Sequence, residues 1–445
     1  MNFSSVYRFR SAKSIFEHKE LENQEVYFSS IEELNDPIEE YKNYLFNADK
    51  IYSTNFLRIY FLNIFIYHNY KSTNVINFKL QNSSFLTYDD KLEKFLSHDI
   101  INKINCILSS NSDITEQELK YYFTEFITSI AYCIVKDITY DENSINENSK
   151  IIDGIIKIKN KIKTLNSFDN NSELKDMYDK FAMNKKSPLK KYLENYIDYL
   201  NFTNDYFEKI KHLCFPKTRI SCFSATYTSV LMWSHYADSH KGICLIFKTR
   251  IHKNSQFIKL HDLNFKIQSN EDIYTLGDNL LGVRKHDFIK VKYKKILSDF
   301  PSTNFATSHG MLTPEESKEF YKDSNGNDSK VIHEIYRENP EWINKYWQIY
   351  FESISTKLEP WSYEQELRLI EDNILDRNKF DNIENRKKKF IIDDLEGIIF
   401  GIKTSDNDKK KIINIIESKK SNCKFYQSFI SYTNKNIIDK FELKK

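Results

Sequence analysis

The spacing of apolar residues divides the chain into stretches of two kinds. Between residues 41 and 210, apolar side chains recur at helical spacing in long runs, which polar segments rich in Asn, Asp, Ser and Lys separate. These runs cover residues 55–70, 117–138 and 188–213. On either side of this region the apolar runs are short and end at turn residues, which is typical of strands. We therefore predict a helical insertion at 41–210 within a core formed by residues 1–40 and 211–445.

The core pattern predicts an α+β fold around a mixed, mostly antiparallel sheet. Strands are expected at residues 6–10, 26–29, 219–224 and 243–247, and the last of these is apolar throughout, as in a central strand. A strand, a capped helix and a second strand follow one another over residues 395–433, which indicates a β-α-β unit.

One basic run interrupts the core. Residues 386–389 read Arg-Lys-Lys-Lys, and we interpret them as a solvated loop, with phosphate binding as the less favoured alternative.

Composition narrows the function classes. The chain has 445 residues, of which 40% are hydrophobic, and this suits a folded protein with a large core. Its net charge of +2 argues against a nucleic-acid coat protein or a polybasic membrane protein. Only 8 Gly occur, none precedes Gly154, and neither G-x-G-x-x-G nor a Walker A sequence is present. Nucleotide-binding folds that depend on such loops are therefore disfavoured.

Cysteine usage and hydropathy indicate a cytoplasmic protein. The six cysteines include no C-x-x-C pair and mostly lie in apolar runs, as free thiols in a reducing compartment do. The N-terminus lacks the order of a signal peptide, and the most apolar stretch, residues 56–67, is too short to span a bilayer. No membrane association is expected.

The first candidate for chemistry is the string WSYEQELRLI at residues 361–370, which we interpret as a strand. Alternation then gives one face Glu364, Glu366 and Arg368, between Ser362 and Ile370, and leaves a mostly apolar face for the core. Two carboxylates roughly 7 Å apart could act on neighbouring parts of one substrate. The alternative is the solvated face of a half-buried strand with cross-strand ion pairs.

Polar residues on two other predicted strands extend this set. Arg8 and Arg10 share one face of the first strand, and guanidinium groups suit bidentate phosphate binding. Ser29 and Ser224 each end a strand, where a hydroxyl could face a cleft.

This combination resembles the Arg-Ser-Glu arrangement of ADP-ribosyltransferases. The resemblance implies that Glu366 is the main catalytic carboxylate, Glu364 serves the acceptor, and Arg8 or Arg10 binds phosphate. NAD would be the substrate and the core would be ADP-ribosyltransferase-like. Cleavage of the nicotinamide–ribose bond builds positive charge on the ribose carbon, which a carboxylate stabilises.

The central string MWSHYADSHKG offers aromatic and imidazole groups. One interpretation is a wall for a planar ring, with Trp233, Tyr236 and His240 as cofactor contacts and His235 as a proton carrier. The other is a packed Trp with hydrogen-bonded histidines that fix a turn. The histidines lack zinc-ligand spacing, so no metal is expected. Arg368 on the predicted strand 361–370 is a further candidate for cofactor binding.

The strings YRFR, YFSSIEELNDPIE, CFS, MWSHYADSHKG, VKY and WSYEQELRLI together resemble the bacterial family catalogued as domain of unknown function 2971. The resemblance covers residues 6–40 and 215–405, with Ile38 departing from the expected aromatic residue. It carries no activity, but members resemble effector genes of anti-phage defence and toxin-like islands.

Three hypotheses follow. The first is a bacterial effector that handles NAD, as a transferase acting on a protein or nucleic-acid acceptor or as a glycohydrolase. The second is a metal-dependent nuclease or nucleic-acid-binding effector that uses Glu364 and Glu366. The third is a non-catalytic sensor, in which residues 41–210 bind a defence-system partner or a second copy of the chain.

Overall fold

The chain folds into two compact units. The computed structural model describes residues 4–36, 38–39, 43–70, 76–78, 88–110, 113–137, 153, 196–253, 255–261, 266–268, 273–275, 282–333, 340–373, 382–419, 422–432 and 437–443. The first unit contains Met1–Tyr41, Pro216–Phe300 and Phe351–Lys445, and the second contains Lys42–Phe215 and Pro301–Tyr350. Residues 301–350 differ from the predicted boundary, because apolar side chains such as Phe320 pack in the second unit, 5.7 Å from the Tyr52 ring.

The first unit is built mainly from strands. Its strands are β1 (Ser5–Arg10), β2 (Glu25–Tyr27), β3 (Ser29–Ser30), β6 (Thr218–Ser224), β7 (Ile243–Lys248), β8 (Arg250–His252), β9 (Ser255–His261), β10 (Lys266–Gln268), β11 (Ile273–Thr275), β12 (Val283–Asp287), β13 (Ile289–Lys290), β14 (Lys292–Lys294), β16 (Thr356–Leu358), β17 (Glu366–Asp372), β18 (Lys387–Phe390), β19 (Leu395–Phe400), β20 (Lys424–Ile430) and β21 (Ile438–Glu442). Its helices are α1 (Ala12–Glu17), α2 (Glu20–Asn23), α9 (Val230–Tyr236) and α12 (Asp406–Glu417).

The main sheet has nine strands in the order β13-β17-β6-β1-β7-β19-β20-β21, with β3 also paired to β6. Only the β19–β20 pair is parallel, and α12 connects those two strands. The Ser405 side chain caps α12, as the sequence predicts. The α+β class, the mostly antiparallel sheet, the central position of β7 and the closing β-α-β unit are thus confirmed.

Each face of this sheet meets its own apolar cluster, because side chains alternate along the strands. One cluster includes Val6, Phe223 and Leu367, and the other includes Phe9 and Trp233. The faces matter for the site, since they tell on which side of the sheet each polar residue lies.

A second sheet of the first unit has the order β12-β9-β18-β2, with β8 paired to β9. Strand β18 occupies most of the basic run 386–389, so the prediction of a solvated loop is wrong. Lys388 is 1% exposed and lies 3.5 Å from Glu371, because alternation turns it toward the core.

The second unit is mainly helical. Its helices are α3 (Lys50–Tyr70), α4 (Tyr88–Ser97), α5 (Asp99–Leu108), α6 (Glu116–Tyr122), α7 (Thr128–Val135), α8 (Tyr196–Cys214), α10 (Pro314–Tyr321) and most of α11 (Pro340–Ser353), and its strands are β4 (Asn43–Phe46), β5 (Ile114–Thr115) and β15 (Ser302–Asn304). The predicted helical runs 55–70 and 117–138 correspond to α3 and to α6–α7, apart from residue 138. Residues 138–152 and 154–195 of the predicted insertion lie outside the described residues. None of the described helices has the length and apolarity needed to cross a membrane.

Candidate functional site

A cavity lies where the main sheet splits. Strand β1 pairs with β7 along its whole length, and β6 does the same with β17, but β1 and β6 pair only at Tyr7 and Ser224. The cavity has a volume of about 220 Å³ and its lining includes Arg8 from β1, Cys222 from β6 and Glu366 from β17. The split thus opens a cleft between strands that would otherwise share a ladder.

The lining combines residues from both faces of the sheet. The register places Glu366 opposite Ser224 and Arg368 opposite Cys222, so these side chains share the face of the Phe9 and Trp233 cluster. Arg8 lies on the other face, with its guanidinium 5.2 Å from the centre of the Phe223 ring. A ligand in the split can therefore meet carboxylates on one side and a guanidinium on the other.

Strand β17 begins later than predicted. Residues Glu359–Glu364 form a 3-10 turn with Pro360 near its start, and Gln365 follows in the left-handed region with a φ of 43°. The prediction of a strand over 361–370 is therefore wrong before Glu366. Glu364 reaches the cavity from this turn, and strand alternation does not set its direction.

Lys357 on β16 joins three buried carboxylates. Its Nζ lies 2.7 Å from Glu364 Oε2, 2.8 Å from Glu366 Oε2 and 3.0 Å from Glu39 Oε1. Because each of these four side chains is at most 5% exposed, water does little to weaken the attraction. Neither Glu39 nor Lys357 was among the predicted site residues.

Arg368 completes this group, which we call the glutamate cluster (Glu39, Lys357, Glu364, Glu366 and Arg368). The Arg368 guanidinium donates to Glu366 Oε1 from Nε at 2.8 Å, to Glu39 Oε2 from Nη2, and to the Ile354 carbonyl from Nη1 at 2.7 Å. Its geometry is that of a structural bridge between Glu39 and Glu366. Arg368 does not line the cavity, so it contacts the carboxylates from the side that faces away from the cavity.

The two glutamates predicted to be catalytic have different proton affinities. Burial alone would raise the pKa of Glu366, but Arg368 and Lys357 outweigh it and lower that pKa to about 2. Burial raises the pKa of Glu364 against the pull of Lys357, and burial also raises the pKa of Glu39 against Arg368. Glu366 is thus a permanent anion, whereas Glu364 and Glu39 bind a proton more readily than a free carboxyl does.

Neutral polar groups surround the cluster. The Tyr236 hydroxyl donates to Glu364 Oε1 at 2.5 Å, and the Tyr293 hydroxyl accepts the backbone N–H of Glu366 at 2.9 Å. Burial raises the pKa of Tyr236, of Tyr293 (to about 12) and of the Cys222 thiol, so all three stay protonated at neutral pH. Of the residues in the central string, Tyr236 therefore meets a predicted catalytic group directly.

Arg8 is a buried cation without an acidic partner. It is 7% exposed, and it donates to the Ser221 hydroxyl and, at 3.4 Å, to the Tyr27 carbonyl. No carboxylate lies within ion-pair distance of it among the described residues. Burial and the nearby Arg10 lower its pKa to about 10, which leaves it charged at neutral pH. Buried charges are normally paired, so this guanidinium is suited to an anion that enters the cavity.

The other predicted polar residues differ in whether their side chains are already engaged by protein groups. The Arg10 guanidinium lines the cavity but is already held by Glu20, with Nε 2.7 Å from Oε2. The Ser224 hydroxyl donates to the Glu364 carbonyl at 2.7 Å and accepts the Thr226 N–H, so it positions the turn. Ser29 lines the cavity with no side-chain hydrogen bond in the described part of the chain.

Met232 of the central string also lines the cavity, whereas Trp233, His235 and His240 lie outside its lining. Trp233 is fully buried, donates from its indole to the Tyr227 carbonyl at 2.7 Å and packs on Phe9. His240 packs parallel to Trp233, and His235 is exposed with its Nδ1 3.0 Å from the Tyr363 hydroxyl. The structure therefore gives Trp233 and His240 the packing role that was the alternative to ring binding.

Glu39 and Lys357 were missed because the sequence gives only a weak signal for them. Glu39 ends the string NDPIE, in which the Asp36 side chain accepts the Ile38 N–H at 2.9 Å and so shapes the turn that turns Glu39 inward. Lys357 lies on a three-residue strand that pairs with β14 beside Tyr293. The glutamate that follows the turn string NDP could have been considered as a site residue, but no local pattern identifies Lys357.

The comparison with known proteins covers the central part of the chain. The family model described as protein of unknown function DUF2971 matches residues 232–369, which include Tyr236, Lys357, Glu364 and Glu366. The match leaves out β1 and Glu39 and covers less than half of the chain. No curated protein and no solved structure matches. Residues 232–369 are therefore similar to the family described as protein of unknown function DUF2971, and this match confirms the resemblance to that family over these residues.

Proposed function

We propose that the cavity binds NAD and that its glutamates promote cleavage of the nicotinamide–ribose bond. The observation that carries this proposal is the pair Glu364 and Glu366, which line one cavity and have pKa values shifted in opposite directions. Two carboxyl groups with separated proton affinities can divide the work of charge stabilisation and proton transfer.

Glu366 supplies the charge. As the nicotinamide–ribose bond breaks, its electron pair leaves with the pyridine nitrogen and positive charge develops on the ribose carbon. A carboxylate that stays ionised at every physiological pH stabilises that charge without any rearrangement. Lys357 and Arg368 hold its two oxygens in place, which fixes the direction of the field.

Glu364 supplies the base. A water molecule or an acceptor hydroxyl attacks the ribose carbon, and its proton passes to the Glu364 carboxylate. The raised pKa of Glu364 favours proton uptake, and the Tyr236 hydroxyl at 2.5 Å orients the carboxylate. The same geometry serves hydrolysis and transfer, which differ only in the attacking group.

Arg8 supplies the anchor for phosphate. Its guanidinium is the cation of the cavity lining that has no carboxylate partner among the described residues, and phosphate suits a guanidinium fork. The volume of about 220 Å³ accommodates the ring and ribose, and the rest of the dinucleotide would extend beyond the cavity.

The nuclease alternative has less support. A divalent cation would need the carboxylates that Lys357 and Arg368 already hold. In the described part of the chain, no group of three His, Cys, Asp or Glu side chains has an arrangement suited to a metal ion. The sensor hypothesis uses the same cavity, but the ligand would bind without being cleaved. The assay of NAD cleavage therefore distinguishes a sensor from an enzyme.

The test is nicotinamide release from NAD by the purified protein, followed by chromatography. We expect release by the wild type and a loss of about 100-fold or more in Glu366→Gln and Glu364→Gln. Glu359→Gln is the matched control, because Glu359 is exposed in the same 3-10 turn. Labelled NAD supplied with protein and nucleic-acid acceptors distinguishes transfer from hydrolysis.

Two results would count against the proposal. NAD that binds but stays intact in the presence of both acceptors would favour a sensor. Release of nicotinamide by Glu366→Gln at the wild-type rate would show that the Glu366 charge is not needed for cleavage.

The family resemblance adds the proposal of a bacterial effector in anti-phage defence or of toxin type. In that case the wild type should arrest growth when it is expressed, and Glu366→Gln should abolish the arrest.

A further inference from the structure

The glutamate cluster contains more negative than positive groups. Its three carboxylates, Glu39, Glu364 and Glu366, face two cations, Lys357 and Arg368, through contacts of 3.0 Å or less. All five side chains are at most 5% exposed. With every group ionised, one negative charge stays uncompensated among side chains that have little contact with solvent, and such a charge is costly.

The surroundings offer no charge to compensate it. Tyr236, Tyr293, Tyr363 and Cys222 are the described titratable groups that interact with the cluster, and burial raises the pKa of each, so all four stay protonated and neutral. Arg8 lies on the opposite face of the sheet, with the side chain of Ser221 as its partner. The cavity therefore has a surplus anion at one end and an unpaired cation at the other.

We infer that the cluster holds one shared proton, on Glu364 or Glu39, and that a ligand with a positively charged ring displaces it. The cavity is then complementary to a ligand with a cationic ring at the glutamate end and a phosphate at the Arg8 end. An oxidised pyridinium nucleotide has this distribution of charge, whereas the reduced form has a neutral ring. Binding would release about one proton and would strengthen as pH rises.

The inference deepens the proposed function, since it names what the same cavity selects, and it rests on that proposal for the choice of NAD. It can be tested without any reaction. 1-Methylnicotinamide, which is methylated on the ring nitrogen, carries the cationic ring but has no ribose bond to cleave, and nicotinamide is its neutral counterpart. Failure of NAD cleavage therefore leaves this test intact, and failure of this test leaves the cleavage assay intact.

The experiment measures dissociation constants of both compounds by NMR titration of the full-length protein between about pH 5 and pH 8. We expect 1-methylnicotinamide to bind about tenfold or more tightly than nicotinamide at the upper end of this pH range, because the surplus carboxylate attracts its unit charge at an effective dielectric of about 20. Its affinity should rise with pH, by up to about tenfold per unit, while that of nicotinamide stays flat.

The Glu364→Gln variant removes the surplus negative charge. Its preference for the cationic ring should fall to about one, and the dependence on pH should disappear. Glu359→Gln should behave as the wild type. Equal affinities of the wild type for the two compounds, or a pH-independent preference, would overturn the inference, and this measurement needs no substitution should Glu364→Gln fail to fold.

Discussion

At the scale of single residues, two buried arginines have opposite environments. Arg368 is 1% exposed and is held by Glu366, Glu39 and a backbone carbonyl. Arg8 is 7% exposed and contacts only uncharged groups. A buried cation with no anion weakens the folded state, whereas a cation between carboxylates is needed to keep them buried. The same residue type thus stabilises the fold in one place and serves ligand binding in the other.

Arg8→Met and Arg368→Met separate these roles. We expect Arg8→Met to leave the free energy of unfolding within about 1 kcal/mol of the wild type or above it, because it removes a desolvated charge and retains apolar contact. Arg368→Met should lower it by about 3–5 kcal/mol, since Glu366 and Glu39 lose their partner. Urea denaturation followed by circular dichroism measures both. Equal losses would show that Arg8 is as structural as Arg368.

The proposed role of Arg8 in ligand binding can be tested with the same Arg8→Met variant. Arg8→Met should abolish the increase in melting temperature that phosphate-bearing nucleotides produce in the wild type, because the anion loses its cation. Arg10→Lys is a suitable control, since Arg10 is held by Glu20 and is not the unpaired group.

At the scale of elements, the turn after α9 fixes where β1 lies. Asp238, Ser239 and His240 all have positive φ, and the Gly242 carbonyl accepts the Gly401 N–H at 3.0 Å and the Thr404 hydroxyl at 2.8 Å. A Cβ at Gly242 would collide with the carbonyl oxygen of Arg10. The string MWSHYADSHKG therefore ends in a glycine because the backbone of β1 passes against it.

Gly242→Ala should accordingly disturb β1 and the cavity. We expect a loss of about 3 kcal/mol in the free energy of unfolding, since a methyl group forced against backbone displaces a strand. Gly326→Ala is the matched control: Gly326 has a φ of 82° but open space around its Cα, so only the backbone cost of about 1 kcal/mol applies. Thermal unfolding of Gly242→Ala and Gly326→Ala, compared with the wild type, measures both losses. A similar, small loss in both would mean that the turn adapts and that β1 is not held by Gly242.

Elements with local signals could be predicted from the sequence. Apolar continuity identifies β7, and the Ser405 cap identifies α12, because both depend on residues close in the chain. The start of β17 could not be predicted, because Gln365 takes the left-handed conformation that Gly or Asn normally signals. Arg8, Ser224 and Glu366, the residues that suggested an Arg-Ser-Glu arrangement, line one cavity. The ion pairs of Lys357 with Glu39 depend on tertiary packing between distant segments, which no spacing rule detects.

At the scale of the whole molecule, two separate cores are built from interleaved segments. The first unit uses three segments of the chain and the second uses two, so the chain passes between them repeatedly. Each has fully buried apolar residues of its own, such as Leu369 in the first and Ile130 in the second. The family match at residues 232–369 includes Pro301–Tyr350 and so covers parts of both units.

Two cores of this size lead us to expect two calorimetric transitions, because each unit buries its apolar surface internally. Leu369→Ala should lower the transition of the first unit and Ile130→Ala that of the second, each by about 2–5 kcal/mol. Because the cavity belongs to the first unit, a ligand at 100 times its dissociation constant should add about 2.7 kcal/mol to that transition alone. A single transition that both substitutions lower equally, and that ligand raises as a whole, would mean that the interleaved segments fold as one cooperative unit.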